Sequence, residues 1–234
     1  VFGRRKSEPE IPPVFWDRAG RFTVGEVLRP GTLTRKPLTG PRAIRVPSTH
    51  DGVRYHAPSV LVSGTGSETP SYELYDATRP TEPVCTLTPE KAGARYRVAD
   101  AGGAELGLVH RAPPARRTVE HGWWLQQPGH PDVVARYHWA RGSAKEIATR
   151  GKESVVRGAG AVVGSVVDSV FSLGADGDAR TGSYRSRPVT WRAEGDEEPV
   201  VLTCEHLEDG KVYRPQASWL DRRLAFALAV LREA

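Results

Sequence analysis

Two stretches near the middle of the chain alternate apolar and polar positions with the period of a half-buried strand. They are Tyr72 and Leu74 in YELYDATRPTEPVCTL, and Tyr96 and Val98 in YRVADAGGAELGLV. Each run meets turn chemistry: Asp76-Ala77 in the first, Asp100-Ala101-Gly102-Gly103 in the second. Asp bonds its own backbone there and Gly accepts positive φ. Returning strands are predicted at Val84–Leu87 and Leu106–Val109, so each unit is a β-hairpin, and the second starts 24 residues after the first. Looser copies are expected at 14–24 (VFWDRAGRFTV), at 123–137 with a turn at Pro128-Gly129, and at 189–207 with a turn near Gly195-Asp196. The Asp209-Gly210 dipeptide marks one more tight hairpin. Many short strands with regular turn signals predict an antiparallel sandwich or barrel. A repeat propeller is disfavoured, because the hairpins are uneven and a blade has no place for the apolar segment at the end of the chain.

That C-terminal segment reads SWLDRRLAFALAVLREA, in which Leu224 to Leu231 are all apolar. Ser218 and Asp221 form a capping-box-like start, and the pattern predicts a helix over 219–233. At the standard rise it is roughly 22 Å long. A bilayer needs about 20 apolar residues, and Arg222, Arg223 and Arg232 crowd this run, so it does not span one. A helix apolar on every side must be enclosed by protein, and a closed sheet encloses one helix completely.

Residues 142–174 break the strand rhythm. Ser143 and Glu146 form a second capping box, and Val155, Val156, Ala159, Val162, Val163, Val166, Val167, Val170 and Phe171 fall on one face of a helix predicted over 143–173. Gly158, Gly160, Gly164, Ser165 and Asp168 take the other face. Upstream, Arg136, Arg141, Lys145, Arg150, Lys152 and Arg157 outnumber Glu146 and Glu153. Three arrangements suit such a stripe. It packs across the barrel or caps a mouth; it lies in the plane of an anionic membrane surface; or it forms a dimer contact through Gly160 and Gly164. A transmembrane span is disfavoured by Arg157 and Asp168.

Composition narrows the class. With 38% apolar and 26% charged residues, the chain has the ordinary make-up of a soluble globular protein and is long enough to bury a sizeable core. The net charge of +5 comes from 27 Arg and 6 Lys, a mildly basic balance, and the Arg, Ala, Gly and Val usage suits a GC-rich bacterial genome. The first 30 residues show no apolar h-region, so no secretory signal is expected there. Cys85 and Cys204 belong to no CxxC pair and read as two free thiols in strands of a cytosolic protein.

The chemistry-bearing residues form no catalytic motif. No His pair has HxxxH spacing, and His121, His130 and His138 lack a Cys or carboxylate partner for a metal. SGTGSETPS at 63–71 has no Gly-Lys-Ser/Thr ending and reads as a loop, and GSVVDS is not GxSxG. Asp76 and Asp100 recur at matching places as turn residues rather than as an acid–base pair. Nucleic acid is disfavoured: Trp123-Trp124 look exposed, but Trp16, Trp124, Trp139, Trp191 and Trp219 mostly sit at strand or cap positions and the Arg residues are dispersed. No cofactor is expected.

The YELYDA…EPV and YRVADAGGAELG hairpins, together with a C-terminal apolar helix, resemble the tubby C-terminal-like superfamily, in particular its LURP-one-related and phospholipid-scramblase-like branches. The resemblance covers 55–140 and 185–234. It implies a closed antiparallel barrel of hairpins wrapped around a buried C-terminal helix; the helix read over 143–173 from its apolar stripe falls outside the resemblance and would be an additional insertion. Residues 1–50, which the resemblance does not cover, read as a Pro/Gly-rich leader with room for short strands, and 51–234 as one barrel domain. For several branches the resemblance also implies membrane or lipid association, although the basic residues that contact phosphoinositides in some members have no matching motif here.

The expectation is a non-enzymatic binding module, cytoplasmic and peripheral at the inner membrane face. Arg141, Lys145, Arg150, Lys152 and Arg157 would meet anionic lipid, with Val162, Val163, Val166 and Phe171 as the apolar side. The alternative is a cytosolic scaffold that uses the same helix for a homodimer or a protein partner.

Overall fold

The computed structural model describes residues 11–50, 52–115, 121–136, 188–195, 197–207 and 210–234. Among them the chain forms one sheet of twelve strands. The strands are β1 (Thr23–Arg29), β2 (Leu38–His50), β3 (Val53–Gly64), β4 (Tyr72–Asp76), β5 (Pro83–Glu90) and β6 (Arg95–Asp100). They continue as β7 (Glu105–Arg111), β8 (Trp123–Gln126), β9 (Val133–Val134), β10 (Val189–Ala193), β11 (Val200–Leu207) and β12 (Gly210–Pro215). Each strand pairs antiparallel with the next. The ends of this sheet meet where Phe22 and Tyr213 exchange backbone hydrogen bonds of 2.9 and 2.8 Å. The result is a nearly closed up-and-down barrel.

Its interior holds α1 (Arg222–Arg232), and all eight residues from Leu224 to Leu231 are buried. Because alanines and leucines alike are enclosed on every side of this helix, the sheet surrounds it as the apolar run requires. Phe22, Leu74, Leu87, Val98, Val109, Leu125, Trp191 and Tyr213 point inward to form one core with it. Phe226 meets the Phe22 ring edge-on at 4.8 Å, and Phe22 stacks on Tyr213 at 5.6 Å, so the helix is packed against the seam of the barrel. The two free thiols, Cys85 in β5 and Cys204 in β11, lie in this interior. Burial pushes the Cys85 thiol up to about 12, since a thiolate there would be cut off from water.

The turn chemistry operates as read. The Asp76 carboxylate accepts from Thr78 N at 2.8 Å and from its hydroxyl at 2.6 Å, and Asp100 Oδ1 accepts from Gly102 N and Ala104 N, both at 2.9 Å. Two local expectations change. The helix starts at Arg222 rather than 219, because Asp221 is itself the N-cap, accepting from Arg223 N at 2.8 Å. Gln127 accepts the Asp221 N–H and donates to the Trp219 carbonyl, which holds 219–221 in a turn. Residues 14–24 are not a hairpin: Trp16–Arg18 form a 3-10 turn and only the second half continues as strand. The predicted helix 143–173 lies outside the described residues.

Strands β1 and β2 are full members of the sheet. The device that joins them was not apparent in the sequence: Arg45 of β2 is 1% exposed, and its guanidinium donates to the carbonyls of Gly25 (2.8 Å), His56 (3.4 Å) and Pro41. The register shifts beside it leave carbonyls that the ladder does not use, and a side chain with five donors can serve several of them at once. Desolvation lowers its pKa from the usual guanidinium value, with the charge of Glu26 opposing.

Candidate functional site

Among the described residues the barrel interior is filled by its own helix, which leaves the two mouths and the outer wall for recognition. Strict alternation sends every second connection to the same mouth. The upper mouth, beside the helix N-terminus, receives the β2–β3, β4–β5, β6–β7, β8–β9 and β10–β11 turns and the chain leading into α1. The lower mouth, beside the helix C-terminus, receives the β1–β2, β3–β4, β5–β6, β7–β8, β9–β10 and β11–β12 connections.

Charge is divided between them. Asp132, Glu194, Glu197, Glu198 and Asp221 stand at the upper mouth. Arg18, Arg21 and Arg54 are exposed at the same end; of the other cations, Arg79 pairs with Asp76 (3.5 Å) and Glu82 (2.8 Å), Arg223 with Asp221 (2.7 Å), and Arg222 donates to the Asp17 carbonyl. Burial opposes ionisation of Asp221. The hydrogen bonds from Arg223 and its charge outweigh that and hold the carboxyl below its usual range. At the lower mouth Arg35, Lys36, Lys91 and Arg111 are exposed. Glu68 is an opposing charge in a described connection there, while Glu90, at the end of β5, is taken up by Arg95 and by Arg97 at 3.8 Å.

The helix C-terminus is sealed from within. Arg42 donates to the carbonyls of Val230 (3.3 Å) and Glu233 (2.9 Å), serving acceptors that the last turn cannot satisfy. Glu233 accepts from the Tyr213 hydroxyl at 2.7 Å and pairs with Lys211 at 3.2 Å, while the Arg232 guanidinium sits 4.9 Å from the Trp191 ring centre. Desolvation raises the Tyr213 pKa, with smaller contributions that include the neighbouring Glu233.

The sequence-predicted contact residues, Arg141, Lys145, Arg150, Lys152, Arg157, Val162, Val163, Val166 and Phe171, lie outside the described residues. The ends of their segment are described. It leaves after β9 and returns at β10, adjacent antiparallel strands, so both ends belong to the lower mouth. Arg136, the first cation of the basic approach, turns away from it. Its guanidinium reaches Glu194 at 2.5 Å and Glu198 at 3.4 Å, and its charge is spent on the acidic turn of the upper mouth.

The outer wall carries a second feature. An open cleft of about 230 Å³ lies along Glu105, Leu108, Gln126, Gln127 and His130. Two flat stacks stand near it, His110 on Trp124 at 3.9 Å and His130 on Trp219 at 4.3 Å. Cross-strand register explains the first stack: His110 pairs with Trp124 and Leu108 with Gln126, so all four share the outer face. Burial lowers the His110 pKa; Arg95 and Lys91 add to this, while a Gln126 hydrogen bond and Asp132 oppose it. Alternation within GLVHR and WWLQ was the available signal, since it sets His110 and Trp124 outward while Val109 and Leu125 go in. The cleft itself is lined by one carboxylate, two amides and the His130 ring, while His110, Trp124 and Trp219 lie beside it and are stacked within their own pairs.

Among the described residues no helix is long and apolar enough to cross a membrane, and no group of three or more His, Cys, Asp or Glu side chains is placed to hold a metal ion. Fold and surface together define a mainly β protein, a nearly closed antiparallel barrel with a central C-terminal helix and a charge division along its axis. No protein-family model matches the chain, and no curated protein matches it either.

Proposed function

We propose that this chain is a non-enzymatic binding module of tubby-like architecture that docks peripherally on an anionic membrane surface, lower mouth first. The observation that carries this reading is the axial separation of charge. The filled barrel presents exposed Arg35, Lys36, Lys91 and Arg111 at the mouth where the 137–187 segment departs. The opposite mouth combines carboxylates, three of them paired with Arg136 or Arg223, with exposed arginines of its own. A negative surface attracts the lower mouth more strongly than the upper, which biases the orientation of the molecule before contact. The segment then supplies Arg141, Lys145, Arg150, Lys152 and Arg157 for phosphate groups, and Val162, Val163, Val166 and Phe171 for the acyl boundary. In this reading the protein works at the cytoplasmic face of the membrane.

The test is sedimentation with vesicles of phosphatidylcholine alone and with added phosphatidylserine. Each Lys or Arg near an anionic leaflet contributes about 1 kcal/mol, and the attraction fades beyond a Debye length. Binding should therefore require the anionic lipid, weaken with salt and disappear when the five cations are replaced by Glu. Wild-type protein that stays in the supernatant at low salt overturns the proposal. So does a five-Glu variant that sediments like wild type.

A further inference from the structure

The β1–β2 connection at the lower mouth holds a leucine that no described residue covers. Leu33 is 108% exposed, the most exposed large apolar side chain among the described residues. It sits at the tip of a tight turn in which Thr32 N donates to Arg35 O at 2.8 Å and Arg35 N to Thr32 O at 3.3 Å. The neck of this turn is narrow. A Cβ on Gly31 would lie 3.0 Å from Pro37 Cδ, and Arg29, itself buried, donates to the Lys36 carbonyl at 3.2 Å. The leucine is thus held outward on a braced stalk, with Arg35 and Lys36 directly behind it.

A single exposed leucine means little by itself. Its neighbours give it meaning. Of the four exposed large apolar side chains among the described residues, Val27, Leu33 and Leu207 lie on strands or turns toward the lower mouth, and Phe15 does not. The β1–β2 turn and the departure point of the 137–187 segment are separated on the rim by β10, β11 and β12. Four strand intervals at the spacing of paired strands make this roughly 19 Å, so one plane can touch both. Leu207 lies between them but is followed by Glu208 and Asp209, which leaves Leu33 as the apolar point set among cations.

We infer that the Leu33 turn is a second membrane contact, which inserts its leucine at the acyl boundary while Arg35 and Lys36 meet lipid phosphate. The inference rests on the membrane reading above but concerns residues outside the segment invoked there. An anionic bilayer fits this point better than a protein groove does, because an apolar tip with cations two and three residues on matches the layering of acyl chain and headgroup.

The experiment uses the full chain with Leu33→Cys carrying an environment-sensitive nitrobenzoxadiazole dye; both native thiols are buried, so labelling is selective. With phosphatidylserine-containing vesicles the emission should shift to the blue, and spin-labelled acyl chains should quench it. Separately, Leu33→Asp should lower vesicle partitioning about tenfold or more with an unchanged thermal midpoint, and Leu33→Trp should retain it. If the protein sediments while the dye stays unshifted, or Leu33→Asp binds as wild type, this contact is refuted and the membrane reading stands. If wild type does not bind at all, both fall. A blue shift that grows with protein concentration in the absence of vesicles assigns the tip to a second copy of the chain and overturns the inference.

Discussion

Replacing Ala227 by Leu puts an isobutyl group where the barrel has left room for a methyl. On a helix with one free face, some alanine among Ala225, Ala227 and Ala229 would point to solvent, and enlarging it would shift stability by no more than about 0.5 kcal/mol. Here all three are fully buried, as are Leu224, Phe226, Leu228 and Val230. Added volume must displace strand side chains from their rotamers, at a cost of about 1–3 kcal/mol. Truncation is the mirror experiment: Leu228→Ala leaves a cavity that the closed sheet cannot collapse around, costing about 2–5 kcal/mol. For a chain of this size each kcal/mol moves the midpoint by about 2–4 °C, so both variants should melt clearly below wild type. The assay is thermal and urea denaturation of Ala227→Leu, Ala229→Leu and Leu228→Ala, with unfolding followed by circular dichroism and Trp emission. Enlargement that proves neutral or stabilising at Ala227 or Ala229 would mean a gap or a free face beside the helix. The helix would then not be enclosed.

Gly107 of β7 has φ of 152°, and a Cβ there would lie 2.3 Å from the Gln126 carbonyl oxygen and 3.1 Å from Leu224, so Gly107→Ala should lower the urea midpoint sharply or prevent folding. Cys85, with its thiol pushed up to about 12, should stay unreactive toward iodoacetamide in the native state and be modified only after urea unfolding, as mass spectrometry of the digested protein would show. Because His110 is harder to protonate in the folded chain than in the unfolded one, the unfolded state binds more protons below the ordinary histidine pKa. Stability should therefore fall as pH drops from about 7.5 to about 5 and level off below the folded-state value. Urea midpoints across that range should show this slope, and His110→Gln should reduce it.

Hairpins, turns and the buried terminal helix were legible in the sequence because each rests on local chemistry or on a short periodic run. Tyr72/Leu74 and Tyr96/Val98 alternate within a few residues, Asp76 and Asp100 bond backbone two to four residues on, and the unbroken run from Leu224 to Leu231 permits no solvated face. Features that depend on distant partners were not legible. Arg45 looks like any surface arginine until carbonyls on β1 and β3 converge on it, and Arg42 closes a helix end 188 and 191 residues away. Arg136 reads as part of a basic stretch, yet carboxylates from the β10–β11 turn neutralise it. The division of charge between the mouths is of the same kind. Every Asp, Glu, Lys and Arg is present in the sequence, but only the antiparallel order decides which connections share an end, because electrostatic potential adds over neighbours in space and not along the chain.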